Sequence, residues 1–311
     1  MDISVVIPCY NAAPWVGETI ESVLSQAYRP AEVVAVDDGS TDETSAVLSR
    51  FAPHVTVVRQ ANAGLGAARN AGAAAARMPW LAFLDADDLY VPESLSSYRD
   101  LHQVFPEAKV LFGDFEEFES GGVRHPQSGL VYLNDIQRFA SRSENDGYLL
   151  RPPAEVVIAR NGAFAPSCLV LQRDLFLDVG GFDHYREKQG AEDLDLYFRL
   201  LPDQPIAFLK RVVVRKRRHA ANMSNLGDHM RAATFHAIQR AETNYRANHR
   251  ELLPIVRRKH VGLLKRWTRY DISTGRPTAS SLATTLLKEA PFTPEAWWLY
   301  ARARAAFMRS A

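Results

Sequence analysis

The 311-residue sequence contains no run of about 18 consecutive uncharged apolar residues, and no basic leader precedes the strand-like segment that starts at Ile3. A membrane span needs such a run and a secretion signal needs such a leader, so we expect neither. Cysteine is scarce: Cys9 and Cys168 lie far apart, without a CxxC or His-rich spacing around them. This pattern argues against a disulfide framework and a zinc site, and it favours a reducing, cytoplasmic location.

An excess of charge is also lacking, since 37 Lys and Arg stand against 36 Asp and Glu, with 47% of the residues apolar. This balance excludes a disordered chain and is typical of a globular protein with about two domains. The charges are unevenly distributed, because residues 251–311 hold eleven Lys and Arg against four Asp and Glu. Residues 1–250 are therefore net acidic, and the basic C-terminal region needs an explanation of its own.

The first ninety residues alternate strand-like and helix-like segments, which indicates parallel βαβ units. The strand-like segments are residues 3–7, 32–36, 55–58 and 80–84, and helix-like segments follow the first three of them. The irregular residues 109–131 predict an antiparallel extension, and a later strand is expected over 206–214. Beyond residue 222 helical periodicity continues to the end, with breaks near Pro254, at 275–277 and near Pro291. We predict an α/β fold, a Rossmann-like mixed and mostly parallel sheet flanked by helices, with a helical C-terminal extension.

Three of the strand-like segments end in polar or acidic turns. These turns are residues 8–11 (PCYN), 37–40 (DDGS) and 85–88 (DADD). Ligands of open α/β sheets bind beyond the carboxyl ends of the strands, so we expect the three turns to share one crevice. The D-x-D spacing of Asp85 and Asp87 can present two carboxylates to Mg²⁺, which proteins hold with one or two carboxylates plus substrate phosphates. A solvated turn is the alternative for this tetrapeptide taken alone.

Two further side chains fit a nucleotide site at this edge. A carboxylate of the 37–40 turn can accept a hydrogen bond from a nucleobase N–H, with Tyr10 offering an aromatic face, although a type I turn explains the same residues. Arg69, on the helix after the segment NAG at 62–64, can bind phosphate or pair with one of the acids. The alternative interpretation is that Arg69 is an ordinary residue on the surface of its helix.

A second acidic pair, Glu192-Asp193, lies in the first turn of an amphipathic helix expected over 191–201. Acids there stabilise the helix dipole, and one of them can also act as a general base on an acceptor hydroxyl. The residues Arg217, Arg218 and His219 follow the last predicted strand. They predict a phosphate clamp or a metal ligand, with a solvated strand end as the alternative.

The stretch 256–270 is basic and amphipathic. It carries six Lys and Arg and no acid, and Val256, Leu263, Leu264 and Trp267 fall on one face. Such a helix either lies on an anionic membrane or packs against its own protein. Nucleic acid is not the expected partner, because the N-terminal half is acidic and no nucleic-acid motif is present.

Taken together, these segments closely resemble the signature of family 2 glycosyltransferases with the GT-A fold. The matching segments are 5–11 (VVIPCYN), 36–42 (VDDGSTD), 62–64 with 68–70 (NAG, ARN) and 83–88 (FLDADD). Residues 180–183 (GGFD) followed by 192–196 (EDLDL) resemble the acceptor-side half. The resemblance covers residues 1–225, with a nucleotide-binding half over 1–110 and an acceptor-side half over 111–225, and leaves 226–311 as a helical region outside it.

The resemblance implies an enzyme that moves a sugar from a nucleoside-diphosphate sugar, with UDP favoured, to a hydroxyl of a glycan, a lipid-linked molecule or another acceptor. It implies inversion at the anomeric carbon, with Asp193 as catalytic base beside Glu192, and Mg²⁺ or Mn²⁺ as cofactor. The implied nucleotide contacts are Pro8, Tyr10, Asn11, Asp38, Arg69 and Asp85, and the implied metal ligands are Asp85, Asp87 and His219. Surface polysaccharide or glycoconjugate synthesis is the implied setting, by analogy.

Two other classes stay open. A nucleotidyltransferase also uses an α/β nucleotide site and metal-holding acids, but its usual Gly-rich, basic loop after the first strand is missing, since residues 8–13 (PCYNAA) contain no Gly, Lys or Arg. A catalytically silent, membrane-associated binding protein would use the basic C-terminal region. The intact set of acids argues against it. The expected location is the cytoplasm, with the inner face of the cell membrane as the site of any peripheral contact.

Overall fold

The computed structural model describes residues 1–119, 124–125, 133–154, 164–183, 190–220, 222 and 227–310. Two compact units divide the chain, Met1–Arg240 and Ala241–Ala311. The division falls within the helix Gly227–Asn248, whereas the boundary expected from sequence is residue 225. Most of the predicted irregular stretch after residue 119, residues 120–123 and 126–131, lies outside the described residues.

One mixed sheet forms the centre of the first unit. Its described strands are β1 (Ile3–Cys9), β2 (Glu32–Asp37), β3 (Thr56–Arg59), β4 (Trp80–Phe83), β5 (Leu89–Tyr90), β6 (Val110–Glu119), β7 (Arg124–His125), β8 (Arg142–Glu144), β9 (Gly147–Leu150), β10 (Leu169–Gln172) and β11 (Ile206–Arg218). Their order is β3-β2-β1-β4-β10-β6-β11-β9-β8, with β5 on β11 and β7 on β6. β3, β2, β1 and β4 are parallel, and the antiparallel β10 separates them from the parallel pair β6 and β11.

The described helices flank this sheet or make up the C-terminal unit. They are α1 (Val16–Leu24), α2 (Thr44–Ser49), α3 (Leu65–Ala75), α4 (Ser94–Val104), α5 (Leu133–Phe139), α6 (Arg173–Asp178), α7 (Glu192–Leu200), α8 (Gly227–Asn248), α9 (Leu253–Thr274), α10 (Ala279–Glu289) and α11 (Pro294–Ser310). Short 3-10 turns at Pro166–Cys168 and Arg250–Leu252 precede β10 and α9. β10 begins at Leu169, directly after the first of these turns.

β1 is buried along its whole length, as its apolar, β-branched sequence predicts. Alternate side chains enter two cores: Val5 and Ile7 pack on one face of the sheet and Val6 on the other. On the Val6 face, α3 approaches so closely that a Cβ at Gly72 would lie 2.3 Å from Val6 Cγ1. Glycine at this position lets α3, which carries Arg69, pack directly over β1.

β11 continues beyond its predicted end at residue 214 as far as Arg218, paired with β6 up to Glu119. Successive side chains of a strand point to opposite faces. Lys216 accordingly lines the cleft at the end of the sheet, while Arg217 is buried on the other side, where its Nη2 lies 2.6 Å from Glu18 Oε2. The basic segment after residue 214 is therefore part of the sheet.

The C-terminal unit is helical, and its breaks fall where the sequence predicts them. Pro254 lies in the first turn of α9, Gly275 ends α9 in the left-handed conformation (φ 68°), and Pro291 lies between α10 and α11. The apolar side chains predicted on one face of α9 are all buried: Val256, Leu263, Leu264 and Trp267. In the part of the chain that the structure describes, no helix combines the length and the apolar character that crossing a membrane requires.

Candidate functional site

The carboxyl ends of β1, β2 and β4 open into one cleft of about 650 Å³, which α3, the start of α7 and the end of β11 complete. The ten residues that the family resemblance implies all line it: Pro8, Tyr10, Asn11, Asp38, Arg69, Asp85, Asp87, Glu192, Asp193 and His219. They converge because parallel strands end at the same edge of the sheet. Arg217 and Arg218, the other two candidates for a phosphate clamp, do not line it, because they pair with Glu18 and Glu117. The predicted shared crevice is present.

Asn11 ties the turn after β1 to the turn after β2. It adopts a left-handed backbone conformation (φ 48°), its Oδ1 accepts a hydrogen bond from Thr41 N at 2.8 Å, and its own N donates to Ser40 Oγ at 3.1 Å. Its side-chain oxygen thus holds two loops together at the cleft wall. Tyr10, by contrast, leaves about half of its surface exposed beside the cleft.

Asp38 is buried and bound by the loop that follows β3. Its Oδ1 accepts hydrogen bonds from Gln60 Nε2 and Ala63 N, and its Oδ2 accepts one from Gly64 N, each at 2.8 Å. A carboxylate has about four acceptor positions, so three are used and one remains. The loop after β3 therefore orients the Asp38 carboxylate. Because one acceptor position remains for a ligand N–H, a structural role of this carboxylate and contact with a nucleobase are compatible.

Arg69 is not a surface residue: only 1% of it is exposed. Its Nη2 donates to Asp85 Oδ1 at 2.6 Å and its Nη1 to Glu192 Oε1 at 2.8 Å, which joins the end of β4 to the start of α7. Burial disfavours the charged guanidinium, but the charges of Asp85 and Glu192 outweigh it and raise the pKa of Arg69. Of the two sequence-based roles, pairing with the acids is the one observed.

Replacing Arg69 with Met should lower the free energy of unfolding by about 3–5 kcal/mol, because it leaves Asp85 and Glu192 without the cation that compensates their burial. Urea unfolding followed by circular dichroism measures the loss. The control Arg50→Met removes an exposed arginine and should change stability by less than about 0.5 kcal/mol. Equal stability of the two variants would contradict the bridging role.

The acids after β4 have different surroundings. Burial opposes ionisation of Asp85, but the Arg69 guanidinium outweighs it and lowers the pKa of Asp85. Burial and the charge of Asp85 raise the pKa of Asp87. Asp88 is buried behind them, accepts hydrogen bonds from Ser167 Oγ (2.7 Å) and Arg217 N (3.0 Å), and has its pKa raised to about 8 by burial and the charge of Asp87. Of these three acids, only Asp85 therefore has its ionised form favoured by its surroundings.

The hydrogen bonds that other described residues make with the Asp87 carboxylate all involve one oxygen, Oδ2. Its Oδ2 lies 2.9 Å from His219 Nε2 and accepts from Asn222 Nδ2 at 3.3 Å. The His219 ring stacks on Trp15 with centroids 4.1 Å apart and planes at 15°. Trp15, His219 and Asn222 thus orient the carboxylate, while its Oδ1 accepts no hydrogen bond from another described residue. In this arrangement His219 Nε2 contacts Asp87, and both side chains line the cleft.

No three His, Cys, Asp or Glu side chains converge to hold a metal ion within the described residues. Proteins commonly hold Mg²⁺ with only one or two carboxylates, the remaining ligands being water and substrate phosphate oxygens. Asp85 and Asp87 are two oxygen donors of this kind on one cleft wall. Their chemistry fits a divalent cation that arrives together with a diphosphate.

Asp193 is the second residue of α7. Gly190 (φ 99°) and Ala191 (φ 60°) make a left-handed turn that directs the first residues of α7 into the cleft. Glu192 is engaged at both oxygens, by Arg69 Nη1 and by Gly190 N. Among the described residues, Asp193 Oδ1 accepts a hydrogen bond from its neighbour Leu194 N and from no other group. Burial, reinforced by the charge of Glu192, raises the pKa of Asp193 to about 6. This carboxylate can therefore accept a proton near neutral pH.

Sequence analysis missed three polar or aromatic side chains of the cleft: Trp15, Lys216 and Asn222. Lys216 Nζ lies 5.8 Å from the centre of the Phe115 ring. Burial works against its charge, but Asp88 and Asp85 raise the pKa of Lys216 above its usual value. Extending the period-two alternation of β11 past residue 214 would have pointed to Lys216. Trp15 and Asn222 have no sequence signal of their own, because their roles come from contacts with His219 and Asp87.

Comparison with known proteins agrees with this geometry. The family model for glycosyl transferase family 2 matches residues 4–144. An uncharacterized glycosyltransferase of Nostoc sp. is 32% identical over 251 residues, 78% of this chain and 71% of that protein. An uncharacterized glycosyltransferase of Rickettsia prowazekii is 26% identical over 224 residues, 72% of this chain and 66% of that protein. For a relative from Rickettsia felis the matched share of that protein is 34%, so the chain corresponds to only part of some relatives.

Among solved structures, the fold is similar to that of S. aureus TarS. The crystal structure of TarS 1-349 in complex with UDP matches with a TM-score of 0.66 at 17% identity, covering 99% of this chain and 89% of that chain. The corresponding complex with UDP-GlcNAc also has a TM-score of 0.66, at 18% identity, with 98% and 88% covered. The likeness confirms the predicted GT-A fold, and the Nostoc relative together with the family model identifies the family. The chain belongs to the family 2 glycosyltransferases.

Proposed function

We propose that the cleft binds a nucleoside-diphosphate sugar, with UDP as the favoured nucleotide, and transfers the sugar with inversion to a hydroxyl of an acceptor. One observation carries this proposal: acids from separate strand ends and from the start of α7 line a single cleft. The cleft has the chemistry for both ends of the reaction, a carboxylate pair for a metal-bound diphosphate and a separate carboxylate with a raised pKa for the acceptor.

Asp193 is the proposed base. Inversion requires the acceptor hydroxyl to approach the anomeric carbon from the side opposite the leaving diphosphate. Asp193 removes the proton of that hydroxyl through the carboxylate oxygen that Leu194 N does not occupy. Glu192 has a different task, because its two oxygens bind Arg69 and Gly190. It keeps the start of α7 attached to α3 and adds negative charge beside the base.

Asp85 and Asp87 are the proposed holders of Mg²⁺ or Mn²⁺. When bound, the cation neutralises negative charge that develops on the leaving diphosphate. His219, Asn222 and Trp15 keep Asp87 in position through the hydrogen bonds and the ring stack described above. Lys216 adds a positive charge on the same wall of the cleft, where it can offset charge on a phosphate.

The nucleotide half of the cleft supports a uracil base. Asp38 offers its last acceptor position to a ring N–H, and the exposed Tyr10 ring offers a stacking face. Both TarS complexes, with UDP and with UDP-GlcNAc, contain a uridine diphosphate group, which supports the same choice here. Pro8 and Asn11 form the wall next to this position.

For the acceptor we propose a chemical class, and for the cellular location we propose a compartment. A hydroxyl of a glycan, a lipid-linked molecule or a glycoconjugate fits a base that is accessible from the cleft. Both cysteines are buried free thiols, which supports the cytoplasm as the location. We place the reaction in surface polysaccharide or glycoconjugate synthesis by analogy with the family.

A thermal-shift screen of UDP-, GDP- and dTDP-sugars with and without Mn²⁺ tests the nucleotide and the cation together. A ligand present at 100 times its Kd stabilises the folded state by about 2.7 kcal/mol. We expect the largest rise in melting temperature with a UDP-sugar plus Mn²⁺, and a smaller rise with either component alone. No response to any nucleotide sugar would refute the proposed donor site.

Analysis of the released products separates the two alternative classes. A nucleotidyltransferase would respond to a nucleoside triphosphate with a sugar phosphate and would release pyrophosphate. A silent binding protein would be stabilised by nucleotide sugars but would release no nucleoside diphosphate in any acceptor mixture. We expect release of a nucleoside diphosphate, slowly with water and faster with the correct acceptor.

A further inference from the structure

Three aromatic side chains in the C-terminal unit are exposed within seven residues of one another. Phe292 is 96% exposed, Trp297 55% and Trp298 53%. Phe292 lies in the turn between α10 and α11, and the two tryptophans lie in the first turns of α11. We name these three residues the aromatic patch. Aromatic side chains of this size gain free energy when they leave water, so their exposure needs a reason.

The aromatic patch is held in place by the helix that carries it. Ala296, Leu299 and Ala303 are buried and form the inner face of α11, which leaves both tryptophans on its outer side. Trp297 Nε1 donates a hydrogen bond to Pro291 O at 2.8 Å. This bond attaches the Trp297 indole ring to the turn that contains Phe292.

Three exposed basic side chains and one exposed acid, Glu289, lie close in sequence to the aromatic patch. Lys288, Arg302 and Arg304 are exposed, and no described acidic side chain forms an ion pair with them. The Arg302 guanidinium lies 4.9 Å from the centre of the Trp298 ring. The acid of α11 next to the patch, Glu295, is already bound by Lys265 and Arg269 from α9.

The C-terminal unit as a whole also carries a net positive charge. Residues 241–311 contain thirteen Lys and Arg against five Asp and Glu. An anionic surface would therefore be attracted to this unit as a whole and could pair with the uncompensated cations around the aromatic patch. The positive charge of the unit favours a negatively charged partner. The exposed indole and phenyl rings favour a partner that has an apolar layer beneath its charged surface.

We infer that the aromatic patch docks on the surface of a membrane that contains anionic lipid. Trp297, Trp298 and Phe292 enter the interface between headgroups and acyl chains, and Lys288, Arg302 and Arg304 contact lipid phosphates. This inference goes beyond the proposed function and does not depend on the nucleotide site. Within the basic C-terminal helices, it places the membrane contact expected from sequence on α11, because the apolar face of α9 is buried whereas the outer side of α11 is exposed.

Vesicle sedimentation with the full chain tests the inference. Vesicles of phosphatidylcholine alone are compared with vesicles containing about 30% phosphatidylglycerol, at low and at physiological salt. We expect binding to the anionic vesicles, little binding to the neutral ones, and weaker binding as salt rises, because the headgroup attraction is screened within a Debye length. Tryptophan emission should shift to shorter wavelength on the anionic vesicles only.

Matched variants locate the contact. Trp297→Ser with Trp298→Ser should lower vesicle affinity at least tenfold, while Phe139→Ser, at an exposed aromatic of the first unit, should leave it unchanged. Each basic contact is worth about fivefold in affinity, so Arg302→Gln with Arg304→Gln should cost about 25-fold at low salt. Arg29→Gln with Arg50→Gln removes the same charge from exposed positions of the first unit and should cost less than about twofold.

Several outcomes would overturn the inference. Absence of binding to anionic vesicles is one, and equal binding to neutral vesicles is another. Analytical ultracentrifugation of the same proteins provides a third: if the chain self-associates and the tryptophan variant does not, the aromatic patch is a contact between copies. Circular dichroism and the nucleotide thermal shift verify that each variant is folded, so loss of membrane binding and failure of the donor site are read separately.

Discussion

Asp193→Asn should reduce the rate of sugar transfer about 10²–10⁴-fold while leaving the affinity for the donor within about twofold. The substitution keeps the shape of the side chain and its hydrogen bond from Leu194 N, but it removes the group that accepts the acceptor proton. Steady-state kinetics give the rate, and isothermal titration with the UDP-sugar and Mn²⁺ gives the affinity. Asp178→Asn, at an exposed acid of α6, is the matched control and should behave like the unmodified protein.

The pH dependence of the reaction checks the same assignment. Because burial and Glu192 raise the pKa of Asp193 to about 6, the base is ionised above that pH and protonated below it. The value of kcat/KM should therefore rise with pH through about 6 and level off above 7. The residual activity of Asp193→Asn should not show this rise. An unchanged profile in that variant would assign the titration to another group.

Asp87→Asn should lower metal-dependent nucleotide binding by about 10- to 100-fold or more and reduce transfer at least as strongly. The variant keeps a side chain that can contact His219 and Asn222, but it halves the number of carboxylates at the predicted cation site. Titration of UDP with and without Mn²⁺ measures the effect. We expect nucleotide binding without Mn²⁺ to change little.

His219→Ala separates the two roles open to that residue. If His219 orients Asp87, as the 2.9 Å contact indicates, the variant should lose less Mn²⁺-dependent affinity than Asp87→Asn. An equal or larger loss would make His219 a direct ligand. Unaltered turnover in both Asp87→Asn and Asp193→Asn would remove this cleft as the site of transfer.

The N-terminal half of the site was predictable because its residues follow strands in a regular way. Asp38 and Asp85 stand directly behind apolar strand-like segments, and the ends of parallel strands share one sheet edge. The turn at Glu192-Asp193 is farther along the chain, and only its resemblance to an acceptor-side motif linked it to the others. The structure brings all ten predicted residues to one cleft.

The partners of these residues were not predictable. Arg69 pairs with Asp85, 16 residues away, and with Glu192, 123 residues away; no local pattern encodes either pair. Lys216 was missed because β11 was expected to end at residue 214, where charged residues begin. The strand continues in register with β6, where Arg215 pairs with Glu116 and Arg218 pairs with Glu117.

The sequence by itself determined the order of strands and helices, the acidic turns and the breaks between the C-terminal helices, because hydrophobic period, turn residues and proline act over a few neighbouring positions. Tertiary structure decided which acid is paired, which is held for a ligand and which can accept a proton. It also decided that the apolar face of α9 is buried while Trp297 and Trp298 remain exposed. These properties depend on burial and on charges distant in the chain, and only folding brings those groups within a few ångströms of each other.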